Sequence, residues 1–334
     1  MQIFERLLEW ITNYWVTFIV IFHISLSFLT SVHVLLFKEN ERTSLAWISL
    51  VIFSPVLGSL FYWLFGINRI KRSAQKKHPK TLKQDFLHPE KNINFHHLPK
   101  NWHSAIIAGH SIHPVNYVAD NSVEPLINGD KAYPEMIQSI HCAKHYIVLS
   151  SYIFDYDTLG RQFINALAQA QKRGVIVNVL LDAVGIGYSW HKSGQAFKKA
   201  RIKTARFLPA ISFTSFRFIN LRNHRKTLCV DGTVAYIGGM NVSQNNIVKS
   251  AVHPIDDVQF KVSGPIIDQI SQVFIEDWFF ATGELIEFPR YNIEASPKPE
   301  KKINNSAVIA RVIQDGPDEH HNRTRWTLIN ALVC

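Results

Sequence analysis

The chain is predicted to be an α/β protein, a mixed sheet flanked by helices and preceded by a two-helix transmembrane hairpin. Three observations carry that expectation. Two long apolar stretches open the sequence, helical and strand-like periodicities alternate from Asn116 onward, and two short apolar runs flank Asp231-Gly232, a hairpin-turn pair.

The first apolar stretch runs from Tyr14 to Phe37 and the second from Ser44 to Ile67, each long enough to cross a hydrocarbon core of about 30 Å. Lys38 to Thr43 joins them. Glu5, Arg6 and Glu9 do not form a basic leader and the first stretch is too long for a signal peptide, so it is expected to be retained. Arg69, Lys71, Arg72, Lys76, Lys77, Lys80 and Lys83 follow the second stretch, against Lys38 and Arg42 in the connection. The positive-inside rule then places both termini in the cytoplasm of a multi-pass inner-membrane protein. Trp10, Trp15, Trp47, Tyr62 and Trp63 fall toward the ends of the spans, where amphipathic rings favour the headgroup layer.

Residues 73–115 read as a polar linker. Its histidines, including His96, His97, His103, His110 and His113, have no carboxylate or thiolate at ligand spacing, so no metal is expected. Beyond it, Ala132, Met136, Ile140 and Ala143 mark a helix face and Tyr146 to Phe154 a strand. Leu159, Phe163, Leu167 and Ala170 mark a second helix, closed by Lys172-Arg173-Gly174, and Val175 to Leu181 a second strand. Asp182 ends that strand, where it could point into a cleft or, the favoured reading, cap the following turn. Gly185-Ile186-Gly187 lacks the third glycine of a dinucleotide loop, because Trp190 stands there. Pro265 is expected to open a helix with Ile266, Ile270, Phe274 and Trp278 along one side. Cys142, Cys229 and Cys334 show neither paired nor metal spacing, which suits a reducing compartment.

The segment Asn223–Asn241 carries the chemistry: H-x-K-x4-D at His224, Lys226 and Asp231, then G-G-x-N at Gly238, Gly239 and Asn241. A phosphodiester is an anion with a poor leaving group, so its cleavage needs a positive clamp, a nucleophile and a proton source. Lys226 supplies the clamp and His224 the nucleophile. Two apart on an extended segment, they project from the same face. Gly238 and Gly239 would let backbone N–H groups approach a ligand, while Asn241 offers an amide to a phosphate oxygen. His78, Lys80 and Asp85 repeat the spacing, but in a polar stretch broken by Pro79 with no glycine pair following; that copy reads as chance. A formal net charge of +10 suits an anionic partner. The concentration of cations beside the apolar stretches favours lipid over nucleic acid.

The string H-x-K-x4-D-x6-G-G-x-N resembles the signature of the phospholipase D superfamily. Arg222 to Lys226, Gly238 to Asn241, Val262 to Pro265, Phe274 to Trp278 and Thr282 to Glu284 are similar to the bacterial cardiolipin synthases within it. Ser151 to Phe154, Gly174 to Gly185 and the apolar hairpin extend the likeness over nearly the whole chain. The resemblance implies a phospholipase D-like fold and transfer of a phosphatidyl group between two phosphatidylglycerols through a phosphohistidine, with release of glycerol and no cofactor. It implies His224 as nucleophile, Lys226 and Asn241 on the phosphate oxygens, and a carboxylate orienting the imidazole, with Asp257 favoured over Asp256.

Family members have two such halves sharing a cleft, whereas this chain has one credible motif. Residues 116–288 correspond to a first half, 289–305 to a linker and 306–334 to the opening of a second, so the chain is expected to be incomplete or inactive alone. The alternatives are a hydrolase of the phospholipase D type, a single-motif phosphodiesterase or nuclease completed as a homodimer or by a complementing half, and a non-catalytic membrane fragment that binds anionic phospholipid.

Overall fold

The computed structural model describes residues 2–38, 41–67, 100–112, 115–182, 190–207, 223–288, 308–314 and 323–333. They fall into two units, Met1–Arg69 and Ile70–Cys334.

In the first unit, α1 (Gln2–Phe37) contains the apolar segment Tyr14–Phe37. At 1.5 Å per residue that segment is about 36 Å long, and it is the one helix among the described residues long and apolar enough to cross a membrane. The second apolar stretch departs from expectation. It forms α2 (Glu41–Phe53), α3 (Pro55–Phe61) and a π-helical turn at Tyr62–Gly66. Pro55 has no N–H to donate to the carbonyl of Val51 four residues back, and Ser54 takes φ −143°, ψ 78°, outside the helical region. The hydroxyl of Ser27 on α1 donates to the Val51 carbonyl instead, at 3.1 Å.

After this break the chain doubles back on α2. The rings of Trp47 and Tyr62 stand 5.5 Å apart, where one straight helix would separate their backbones by about 22 Å. Gly58 permits the approach, since a Cβ there would overlap the backbone of Leu50 and Val51. The Tyr62 hydroxyl lies 2.8 Å from His33 Nδ1 of α1. The expected pair of spanning helices is thus one long helix and a folded-back helical pair, because Pro55 breaks the ladder and Gly58 lets the halves pack.

The second unit is built on one eight-stranded sheet in the order β4-β3-β2-β5-β6-β7-β1-β8. Its strands are β1 (Val118–Ile127), β2 (Tyr146–Ser151), β3 (Ile176–Asp182), β4 (Lys203–Phe207), β5 (Thr227–Val230), β6 (Val234–Gly238), β7 (Val258–Ser263) and β8 (Val308–Ala310). Strands β2, β3 and β4 run parallel and every other pairing is antiparallel, so the change of direction falls between β2 and β5.

Helices α5 (Asn128–Cys142), α6 (Thr158–Lys172) and α7 (Trp190–Lys199) contribute Met136, Ile140, Phe163, Leu167 and Phe197 to the core on one sheet face, against Leu149, Val179, Leu228 and Tyr236. Helix α8 (Ile266–Thr282) covers the other face with Ile266, Ile270, Phe274 and Trp278 against Val148, Cys229 and Val262. Alternation along β2 and β5 explains the division, since successive side chains enter opposite cores. Glycine closes two helices: Gly174 at φ +92° after α6 and Gly283 at φ +76° after α8.

Part of the expected linker is helical. α4 (Lys100–Ile112) carries His103 and His110 and packs with α9 (Arg323–Val333), whose Asn330 Nδ2 donates to the Ala105 carbonyl at 2.8 Å. β8 adds to the edge of the same sheet through β1, so the segment expected to open a separate half is here an edge strand of the first. Residues 78–85, Gly185 to Gly187 and the linker 289–305 lie outside the described residues.

Candidate active site

The register brings one end of the sheet to a common level. Ser151 pairs with Leu181, Ser150 with Thr227, Thr227 with Ile237 and Gly238 with Gln259. Tyr152, Asp182, the segment Asn223–Lys226, Gly238-Gly239 and Asp257 therefore all emerge at that end, around the change of strand direction.

His224 and Lys226 meet as expected. Lys226 Nζ donates to the His224 carbonyl at 2.7 Å and stands 3.3 Å from His224 Nδ1. His224 is exposed while Lys226 is largely buried, so the ring faces solvent with the ammonium beside and beneath it. Tyr152 completes the group: its ring centroid is 4.1 Å from the imidazole and 5.3 Å from Nζ, within cation–π range. In the sequence Tyr152 stands out only as part of the Ser151–Phe154 likeness. Its place immediately after a buried strand, level with the motif, was the usable signal.

Desolvation, and then the Lys226 ammonium, hold the His224 pKa below its ordinary 6.5, with Asp182 pulling the other way. Neutral imidazole is therefore favoured near pH 7, as a nucleophile requires. Burial lowers the Lys226 pKa, and the carboxylates of Asp257 and Asp182 oppose the shift.

Asp231, the Gly238-Gly239 pair and Asp257 are placed differently from their expected roles. Asp231 sits in the turn after β5 at φ +52°, and its carboxylate accepts from the backbone N–H groups of Lys144, His145 and Tyr146 at 2.7 to 2.8 Å. That cluster ties the hairpin to the start of β2, at the far end of β5 from Lys226. Gly239 donates its N–H to the Val258 carbonyl at 3.2 Å, and a Cβ there would overlap the Asp257 carboxylate. Its lack of a side chain makes room for that carboxylate rather than for a ligand. Gly238 likewise abuts Val258 and Gln259.

The third is Asp257, whose Oδ1 accepts from Val258 N and whose field acts on Lys226; the carboxylate acting on both His224 and Lys226 is Asp182. Asp256 is turned away, accepting from Asn128 Nδ2 at 2.9 Å. Asn241 is held at the site edge, its Oδ1 accepting from Ile153 N at 2.9 Å and its carbonyl from the Tyr133 hydroxyl at 2.6 Å. An anionic ligand oxygen needs a donor, which the amide supplies through Nδ2. Cys229 is buried in the second core with its thiol pushed up to about 12 by desolvation. Among the described residues no cluster of His, Cys, Asp and Glu could hold a metal ion.

Residues 136–278 match the family model described as "Cardiolipin synthase, PLD-like domain", and residues 25–66 match "Phospholipase D-nuclease N-terminal". The chain carries a phospholipase D-like domain. Cardiolipin synthase 1 of Bacillus anthracis is 29% identical to this phospholipase D-like chain over 315 residues, covering 89% of it and 60% of the relative. A cardiolipin synthase of Clostridium perfringens is 30% identical over 307 residues, covering 88% and 63%. The chain thus spans about three fifths of the length of the curated relatives it matches. A solved phospholipase D family member, Nuc from Salmonella typhimurium, aligns with 51% of this chain and 99% of its own at 18% identity and a TM-score of 0.38.

Proposed function

We propose that this chain contributes a phosphatidyl-transfer site of the cardiolipin synthase type, acting on phosphatidylglycerol. The observation that carries the reading is the exposed His224 imidazole with the Lys226 ammonium 3.3 Å from its Nδ1 at the end of the sheet. An ammonium only donates, so while it faces Nδ1 it occupies that nitrogen's lone pair. A phosphodiester oxygen is a stronger, anionic acceptor for the same N–H. Substrate arrival would draw Nζ to the non-bridging oxygen and leave the ring nitrogen to attack.

In the first displacement a bond forms from an imidazole nitrogen to phosphorus, and the bond from phosphorus to the glycerol oxygen breaks. The departing alkoxide takes a proton from a general acid. In the second, a hydroxyl of another phosphatidylglycerol gives its proton to the base that the general acid has become and attacks phosphorus, releasing the imidazole as cardiolipin forms. Lys226 and the Asn241 Nδ2 would hold the non-bridging oxygens, Gly238-Gly239 would shape the edge, and Asp257 would sustain the ammonium. The motif segment supplies one imidazole, so the acid for the leaving alcohol is assigned to a group outside it, from a second copy or a complementing second half.

Where two copies pair so that the second supplies that acid, purified chain in phosphatidylglycerol vesicles is expected to yield cardiolipin and glycerol in equal amounts. Phosphatidic acid in their place would assign hydrolysis, cleaved DNA a nuclease, and tight vesicle binding without product a lipid-binding role.

The site is further proposed to work on the cytoplasmic side of the membrane. Because α3 doubles back on α2, the Ile67 end returns toward the level of Glu41, and Lys38, Arg42 and the cations from Arg69 to Lys83 then share one side of a single crossing. That puts the Gln2 end of α1 across the membrane, in place of the expected cytoplasmic N-terminus. In a Cys142→Ser, Cys334→Ser background, an impermeant maleimide should label Gln2→Cys in intact spheroplasts and Asn68→Cys only after permeabilisation. Equal protection of both sites would restore two crossings.

A further inference from the structure

The motif segment has an underside. His224 and Lys226 project from one face of the extended stretch; Asn223 and Arg225, one residue out of step, project from the other, into the core closed by α8. Asp182 and Asp277 meet them there. Asp277 Oδ2 accepts from Asn223 Nδ2 at 2.9 Å, and both Asp277 oxygens accept from Arg225 Nη1 at 2.7 Å. Asn223 Oδ1 accepts from the Arg225 backbone N–H at 3.0 Å.

Asp182, 1% exposed, accepts through Oδ2 the backbone N–H of Asn223 at 3.0 Å. Strands β3 and β5 are not neighbours, since β2 lies between them. The β2 ladder ends at Ser151 opposite Leu181, however, so Asp182 stands one residue beyond it and reaches past its end to the peptide that leads into His224.

We propose that Asp182 is a positioning residue for His224: it anchors the peptide preceding the imidazole and its negative charge supports the positive charge that the ring gains as it becomes phosphorylated. The inference rests on His224 being the nucleophile of the proposed reaction. An imidazole nitrogen that has bonded to phosphorus carries formal positive charge, and a fixed carboxylate favours that state over the neutral ring. Among the described residues, the groups that bear on the imidazole are Lys226 from its own segment, Tyr152 from the end of β2 and Asp182 from β3, with Asp257 ahead of β7 acting on Lys226. Asp182 is thus the carboxylate that offsets the cation against which the ring is packed. Its buried acceptor bond fixes direction as well as sign.

The test is an NMR titration of the His224 ring in the full-length chain in detergent, assigned by difference against His224→Asn. Asp182→Asn preserves size and an acceptor oxygen but not charge, and should move the titration to lower pH by about 0.5 or more. A merely structural role would shift the unfolding midpoint and leave the titration in place, which overturns the proposal. Should Asp182→Asn not fold, Asp182→Ser keeps a small acceptor for the Asn223 N–H, removes the charge, and must lower the titration; no movement overturns the proposal equally. In vesicles, Asp182→Asn should lower kcat about tenfold with KM for phosphatidylglycerol within twofold; a KM effect alone would count against it. Absence of transfer by the unsubstituted chain would bear on the proposed function and leave the titration result standing.

Discussion

His224→Ala is expected to reduce phosphatidyl transfer by roughly 10,000-fold or more, because it removes the atom that forms the intermediate and not merely a group that binds substrate. The loss should fall on kcat, with vesicle binding retained through Lys226 and the basic segment after the hairpin. The pH profile gives a companion expectation. The nucleophile is the free base, and burial followed by the Lys226 ammonium keeps the folded-state pKa under 6.5. Activity should therefore persist as pH falls to 6.5 and decline only below it. An acid limb centred above 6.5 would mean that Asp182 outweighs desolvation and Lys226 together. Measurable turnover by folded His224→Ala would remove histidine from the mechanism.

Asp277→Ala should be strongly destabilising. The Asp277 side chain is 7% exposed and that of Arg225 19%, so deleting the carboxylate removes the two-oxygen acceptor of a mostly buried guanidinium and the acceptor of the Asn223 amide. Breaking one partner of such a pair costs about 3 kcal/mol or more. Denaturant unfolding of the chain in detergent should show the midpoint falling accordingly, with Asp277→Asn intermediate because it retains an acceptor for Arg225. A midpoint within about 0.5 kcal/mol of the parent would show that α8 does not hold the motif from below.

The motif was legible because its chemistry and its secondary structure repeat one message. The runs at Leu228–Val230 and Val234–Ile237 flank a D-G turn, and they form β5 and β6 around it. The helix faces at Ala132–Ile140, Leu159–Ala170 and Ile266–Trp278 were legible because their apolar positions recur at helical spacing and enter the two cores. Asp231 misled because the signature lists it beside reactive groups, while its carboxylate knits three backbone amides at the opposite end of its strand.

What sequence could not convey were contacts between distant positions. Asp182 reaches Asn223 across 41 positions and Asp277 reaches it across 54. Neither has a local pattern that distinguishes it from a capping or surface acid. The fold-back at Pro55 was invisible for a related reason: a hydropathy window sums apolarity along the chain and cannot register that Tyr62 lies against Trp47. The helix Lys100–Ile112 hid in polar composition, since its partner is α9, more than two hundred positions later.

The alternation through residues 223 to 226 has an experimental corollary for deep mutational scanning. A library over those four codons, scored separately for abundance and for product, should split by parity. Changes at the even positions would deplete product while abundance holds, and changes at the odd positions would deplete abundance first. Such a two-beat signature would map the boundary between reagent and scaffold along a single strand without any further coordinates.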